Sequence, residues 1–189
     1  MNNILQFKIT LKYSNPKIWR RFLVPDNITF YDLHLIIQNV MGWFNGHLHQ
    51  FIYEKKSYIG DPEIFESDDI ADEKTIPLNE FFTEPKMQIM YEYDMGDSWL
   101  HELVFEKILE KEKGKYYPVC IAGEKNCPPE DCGSLPGFYN MLDTLKKKKG
   151  KEYKELMEWL GGEYNPEEFD LVIVNENLKD YKSIDFEMN

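Results

Sequence analysis

Between Met87 and Ile108 the chain alternates apolar and polar residues on both sides of the connection Asp94-Met95-Gly96-Asp97-Ser98. Alternation of this kind has the period of a β-strand, whose successive side chains point to opposite faces. Met87, Ile89, Tyr91 and Tyr93 share one face of the first run, and Trp99, His101, Leu103 and Phe105 share one face of the second. A hairpin buries both sets only if they lie on the same side, since a slip of one residue would expose a whole set. The pairing that satisfies this sets Tyr93 opposite Trp99 and Tyr91 opposite His101. The connection then holds three residues (Met95 to Asp97) or five (Asp94 to Ser98). Gly96 and the two aspartates suit a tight turn on conformational grounds.

The same alternation predicts strands over 4–12 and 18–24, antiparallel to each other across Asn15-Pro16, and further strands over 47–53 and 117–122. Thr29 predicts a helix start, with Asp32 three residues on to complete a capping box. Phe30, Leu33, Ile36, Ile37, Val40 and Met41 then recur at helical spacing, and Gly42 is a natural stop. Residues 61–73 carry seven acids and no base, which predicts a solvated loop. Leu78 to Phe82 reads as a short helical turn. Residues 123–137, rich in proline, glycine, cysteine and acid, predict an ordered loop, followed by helices around 138–149 and 153–160. The run LVIV favours strand by composition, but Asp170 as N-cap with Leu171, Val174, Leu178 and Tyr181 at helical spacing favours a last helix.

A hydrophobic fraction of 42% in 189 residues supports one domain with a sizeable core. No apolar run approaches the roughly 18 residues of a membrane span. The start MNNILQFKIT lacks the pattern of a signal peptide, so a cytoplasmic location is expected. A net charge of -12 disfavours non-specific binding to a phosphate backbone. Cys120, Cys127 and Cys132 form no C-x-x-C pair, and reduced thiols are expected.

Three groups of residues could carry chemistry. His47 and His49, two apart on an expected strand, would point the same way and offer two nitrogens to a metal ion. His101 on the apolar face could join them if the strands lie side by side. Asp94 and Asp97 flank Gly96, either as turn formers or to orient an imidazole or bind a cation. Glu130 and Asp131 sit on the proline-stiffened loop Cys127-Pro128-Pro129-Glu130-Asp131-Cys132-Gly133. Phosphate-binding glycine loops, the G-x-S-x-G elbow and H-E-x-x-H are absent from the sequence.

The motifs Ile18-Trp19-Arg20-Arg21, HLHQF at 47–51, YEYDMGDSWLHE at 91–102, CPPEDCG at 127–133 and NPEEFD at 165–170 come in an order that resembles the plasmid pRiA4b ORF-3-like family, over residues 4 to 180. Some of its members are labelled passenger TnpR-like proteins of an insertion element. The resemblance implies an α+β fold, with a curved, mostly antiparallel sheet and helices packed on it, and an association with plasmids and mobile elements. It implies no reaction. Ser134 replaces a glycine common in that family, Met95 an aromatic residue, and Asn165 an aspartate.

Three functions compete. The first is a non-enzymatic binding module for a protein or small molecule. Its groove would lie between the hairpin, the His47–His49 strand and the proline-rich loop, with Trp19, Arg21, Tyr93, Asp94, Asp97, Trp99, Glu130 and Asp131 as binding residues. The second is a metal-dependent hydrolase, acting for example on phosphoesters. It would take a divalent metal on His47, His49 and His101, aided by Asp94 and Asp97, with Glu130 or Asp131 as general base. The third, ranked last because the protein is acidic, is nucleic-acid binding through Arg20, Arg21 and Lys146 to Lys149.

Overall fold

The computed structural model describes residues 3–54, 57–67 and 69–184. It is an α+β structure built on one eight-stranded sheet. In chain order the elements are β1 (Asn3–Leu11), β2 (Trp19–Pro25), α1 (Phe30–Met41), β3 (His49–Tyr53), β4 (Ser57–Gly60), α2 (Pro62–Phe65), β5 (Ile70–Asp72), α3 (Leu78–Phe81), β6 (Gln88–Tyr93), β7 (Trp99–Glu110), β8 (Val119–Glu124), α4 (Ser134–Lys147), α5 (Lys151–Leu160) and α6 (Leu171–Asn177). A 3-10 turn at Leu178–Ser183 follows. The strand order is β5-β4-β3-β6-β7-β1-β2-β8, and the pairs are antiparallel except β4 with β5.

The hairpin has the expected register, Tyr93 opposite Trp99 and Tyr91 opposite His101, so the connection holds five residues. Asp94 and Ser98 take the left-handed conformation there, at φ 60° and 52°, and Gly96 does not. Asp94 makes this possible: its Oδ1 accepts the N–H of Gly96 (2.8 Å) and of Asp97 (3.2 Å), an Asx turn that offsets the backbone strain.

Helix α1 begins as the sequence predicts. Thr29 accepts the N–H of Asp32, Asp32 accepts the N–H of Thr29, and Gly42 ends the helix at φ 89°. Its apolar stripe packs on the sheet face formed by Phe7, Ile9, Phe22, Phe51, Tyr91 and Leu103. The 3-10 turn packs against this helix. Tyr181 donates its hydroxyl to Asp32 (3.3 Å), and Lys182 pairs with the same carboxylate (2.7 Å).

Three elements differ from expectation. β3 starts at His49, leaving His47 outside the strand. Helix α4 starts at Ser134, inside the expected loop, because Pro136 falls in its first turn, where a missing N–H leaves no broken bond. The acidic segment 61–73, apart from Asp68, which lies outside the described residues, is folded: Asp61 caps α2, β5 pairs with β4, and Glu73 is only 1% exposed.

Candidate functional site

The hairpin turn, the 47–49 segment and the loop 127–133 do meet, as the motif reading requires, but they meet closed. The Tyr93 hydroxyl donates to Glu130 Oε1 (2.6 Å), which also accepts the N–H of Phe44 (2.9 Å). Asp97 Oδ2 accepts the N–H of Gly133 (3.0 Å), and the Trp43 indole donates to the Pro128 carbonyl (3.0 Å). Burial and the neighbouring Glu130 carboxylate push the Tyr93 hydroxyl far above its ordinary range, so it stays a donor. Glu130, expected as a binding residue or general base, is an anchor that holds the proline-rich loop to the hairpin. The groove expected at this place is filled by that loop.

The histidines separate. His47, freed from the strand, lies with Nε2 3.2 Å from Asp131 Oδ1 and 3.9 Å from Asp94 Oδ2. His49 turns to Glu73 (2.7 Å) and stacks on His34 with ring centroids 3.3 Å apart. His101 lies under Trp43 and beside Tyr91, fully buried, and neither ring nitrogen has a hydrogen-bond partner among the described residues. Burial holds it neutral, with its pKa lowered to about 3; the backbone of Trp99 and Tyr91 acts weakly the other way, without reaching full hydrogen-bond geometry. The expected His47, His49 and His101 metal set is therefore not formed. Among the described residues the group that converges is His47, Asp94 and Asp131, with ligand atoms within 4.8 Å of one another.

Other expected site residues are placed differently. Trp99 is core: it is 1% exposed, and its ring lies 6.1 Å from that of Trp43. Strand pairing puts Trp19 and Arg21 on the face of the sheet opposite Tyr93 and Trp99, because Thr10 pairs with both Trp19 and Glu102 while Ile9 pairs with Leu103. There the Arg21 guanidinium makes two bonds to Glu106 (2.7 and 2.9 Å), and the Trp19 indole donates to Glu124 (3.1 Å). Arg20 faces inward, 2% exposed. It donates to the carbonyls of Val40 (2.8 Å), Trp19 (2.8 Å) and Glu124 (3.0 Å), so it cannot present to a phosphate backbone. The thiols are not activated: burial pushes Cys120 and Cys127 up to about 11 and Cys132 to about 12.

Two concavities lie elsewhere. A groove of about 590 Å³ runs between the β1–β2 turn, α4, α5 and the segment 163–167, with Ile18, Phe138, Leu142, Leu145, Tyr153, Met157 and Tyr164 in its lining. A cavity of about 140 Å³ sits over His49 and Glu73. Sequence reasoning missed His34 and Glu73 in it. His34 lies on the apolar side of α1, and Glu73 was one acid among seven, with only its neighbour Lys74 to mark the end of the run.

A family model described as plasmid pRiA4b ORF-3-like protein matches residues 3–172. The chain is similar to the uncharacterized protein y4hQ of Sinorhizobium fredii (strain NBRC 101917 / NGR234), 29% identical over 160 residues that cover 84% of this chain and 81% of that protein. The crystal structure of protein of unknown function MM3350 from Methanosarcina mazei Go1 has the same fold. Its TM-score is 0.80 at 37% identity, with 91% of this chain and 97% of that one covered. The match of nearly the whole length, with the motifs 47–51, 91–102 and 127–133 stitched into one corner of the fold, shows that the chain belongs to the plasmid pRiA4b ORF-3-like family.

Proposed function

We propose that the protein is a non-enzymatic binding module whose ligand, a partly apolar small molecule, seats in the groove between α4, α5 and the β1–β2 turn. One observation carries this reading. The groove expected between the hairpin and the proline-rich loop is closed by hydrogen bonds through Glu130 and Asp97, while the α4–α5 groove is open and has about 590 Å³. That volume is in the range of small-molecule sites, and its aromatic and aliphatic floor of Phe138, Leu142, Tyr153 and Met157 is rimmed by charged side chains such as Lys125, Asp143, Lys146 and Glu163. Replacing Leu142, half-buried in the lining, by lysine places a charge in the apolar floor. Fluorescence of an anilinonaphthalene dye is expected to rise with the native protein and to fall at least ~5-fold with Leu142→Lys, about 1 kcal/mol of lost apolar contact. Unchanged dye binding in a folded Leu142→Lys variant would sink the proposal. The free cysteines favour a cytoplasmic setting for this module. The family likeness favours association with mobile elements, and a neighbouring transposase gene would support that.

A second reading, a metal-dependent hydrolase, is favoured by the convergence of His47, Asp94 and Asp131. Here the His47 ring and the two carboxylates would hold a divalent cation, with water completing its shell. Calorimetry with zinc and manganese is the test. Binding at one ion per chain, weakened at least ~10-fold by His47→Ala, is expected on this reading. No heat at millimolar metal would remove it.

A further inference from the structure

Glu73 is the most deeply buried carboxylate among the described residues. Its Oε2 lies 2.7 Å from His49 Nε2, and among the described residues no hydrogen bond engages Oε1. It lines a cavity of about 140 Å³ whose apolar walls include Tyr31, Leu48, Ile64 and Phe65. A buried carboxylate normally has a cation of its own. Glu73 has none. Lys74, at the rim, is taken by Asp61, with Nζ 2.6 Å from Oδ2.

Nor do the imidazoles supply one. The Gln38 amide donates to the Tyr91 hydroxyl oxygen (2.9 Å), so the Tyr91 proton points to His34 Nδ1 (2.8 Å). His34 Nε2–H then donates to Asn45 Oδ1 (2.7 Å). This chain fixes His34 as the neutral tautomer. His49, stacked on it with the planes only 2° apart, is held neutral by burial, its pKa lowered to about 3.

We propose that this cavity binds a small organic monocation, a primary alkylammonium, with its ammonium on the free oxygen of Glu73 and its chain against Tyr31 and Phe65. The two aromatic walls suit a desolvated cation. At about 30 Å³ per water-sized group, the space takes roughly four or five non-hydrogen atoms. The site is separate from the α4–α5 groove, and its test does not depend on that groove being occupied.

The site also binds a proton in competition. Burial lifts the Glu73 carboxyl to about 7; His34 and Lys74 oppose this, and Asp61 and Asp72 push the same way. The ammonium needs the ionised carboxylate. Below the Glu73 pKa it must displace a proton, so affinity falls as pH drops and levels off above it.

Calorimetry on the full chain with propylammonium, propanol and propionate at pH 6 and pH 8 tests this. Propylammonium is expected to bind, tighter at pH 8 by close to ~10-fold, while propanol binds weakly and propionate does not bind. Glu73→Gln is expected to weaken propylammonium at least ~10-fold and to abolish the pH dependence. Phe65→Ala, which removes a wall and leaves Glu73 in place, is expected to shift preference to hexylammonium with the pH dependence intact. This variant keeps the test open if Glu73→Gln fails to fold. Propionate binding as tightly as propylammonium, affinity independent of pH, full affinity in a folded Glu73→Gln, or no heat from any of the three would each overturn the proposal.

Discussion

Gly137→Ala is expected to destabilise the protein by about 3 kcal/mol, although alanine is the better helix former by about 1 kcal/mol. Gly137 lies in the first turn of α4, and its N–H donates to the Gly133 carbonyl (2.9 Å). A Cβ built there would sit 1.9 Å from the carbonyl oxygen of Cys132 and 2.9 Å from its carbon. Both are backbone atoms, so no rotamer relieves the contact. Either α4 or the loop 127–133 must move. That loop is held by Glu130 on Tyr93 and Gly133 on Asp97, so the disturbance spreads to the hairpin turn. Urea titration measures the loss, and amide exchange should rise at 130–134 and 94–98 together. Gly162→Ala is the control, since nothing lies within 4 Å of its Cβ position. A Gly137→Ala protein as stable as the control would mean that the loop does not pack on the helix as described.

Acid is expected to destabilise the fold through His101, and His101→Phe is expected to remove most of that loss. Burial lowers the His101 pKa from 6.5 to about 3. The folded state keeps the ring neutral while the unfolded chain protonates below its ordinary pKa, so stability is lost as pH falls from 6.5 toward 3. At pH 4 the loss from this one ring is about 3 kcal/mol. His34, also lowered by burial, acts in the same direction. The His49–Glu73 pair nearly cancels over this range. His49 loses stability as pH falls. Glu73, raised from 4.5 to about 7, is fully favourable below 4.5 and loses stability as pH rises through 7. Between pH 7 and pH 4 each is worth about 3 kcal/mol, with opposite signs. At neutral pH His101→Phe should not destabilise, because it replaces a ring whose two nitrogens make no full hydrogen bond among the described residues by an apolar ring between Trp43 and Tyr91. Urea melts of both proteins at pH 7 and pH 4 decide the matter. An equal loss in both would show that the acid sensitivity lies elsewhere.

Much of the fold was legible because its signals are local. A strand announces itself by period two, so Tyr93 opposite Trp99 followed from sequence alone. Thr29, Asp32 and Gly42 lie within one helix and carry their own hydrogen bonds. The relation of His47 to His49 failed for a reason just as local: period two holds only inside a strand, and β3 starts at His49. The acids of 61–73 were read as solvated because composition cannot tell which of them turns inward. The Glu73 side chain meets His49 across 24 residues.

The sequence by itself determined six of the eight strands, the capped helix, the hairpin register and the family, since these depend on neighbours a few residues apart, whereas β4 and β5 carried no such local signal. Tertiary structure alone decided that Glu130 anchors a loop, that Trp19 and Arg21 lie on the far face, and that Glu73 lies under a cavity with no cation of its own among the described residues. Such facts arise when groups distant in the chain are brought into contact away from water, where an unmatched charge or an extra methyl group has consequences that no local pattern records.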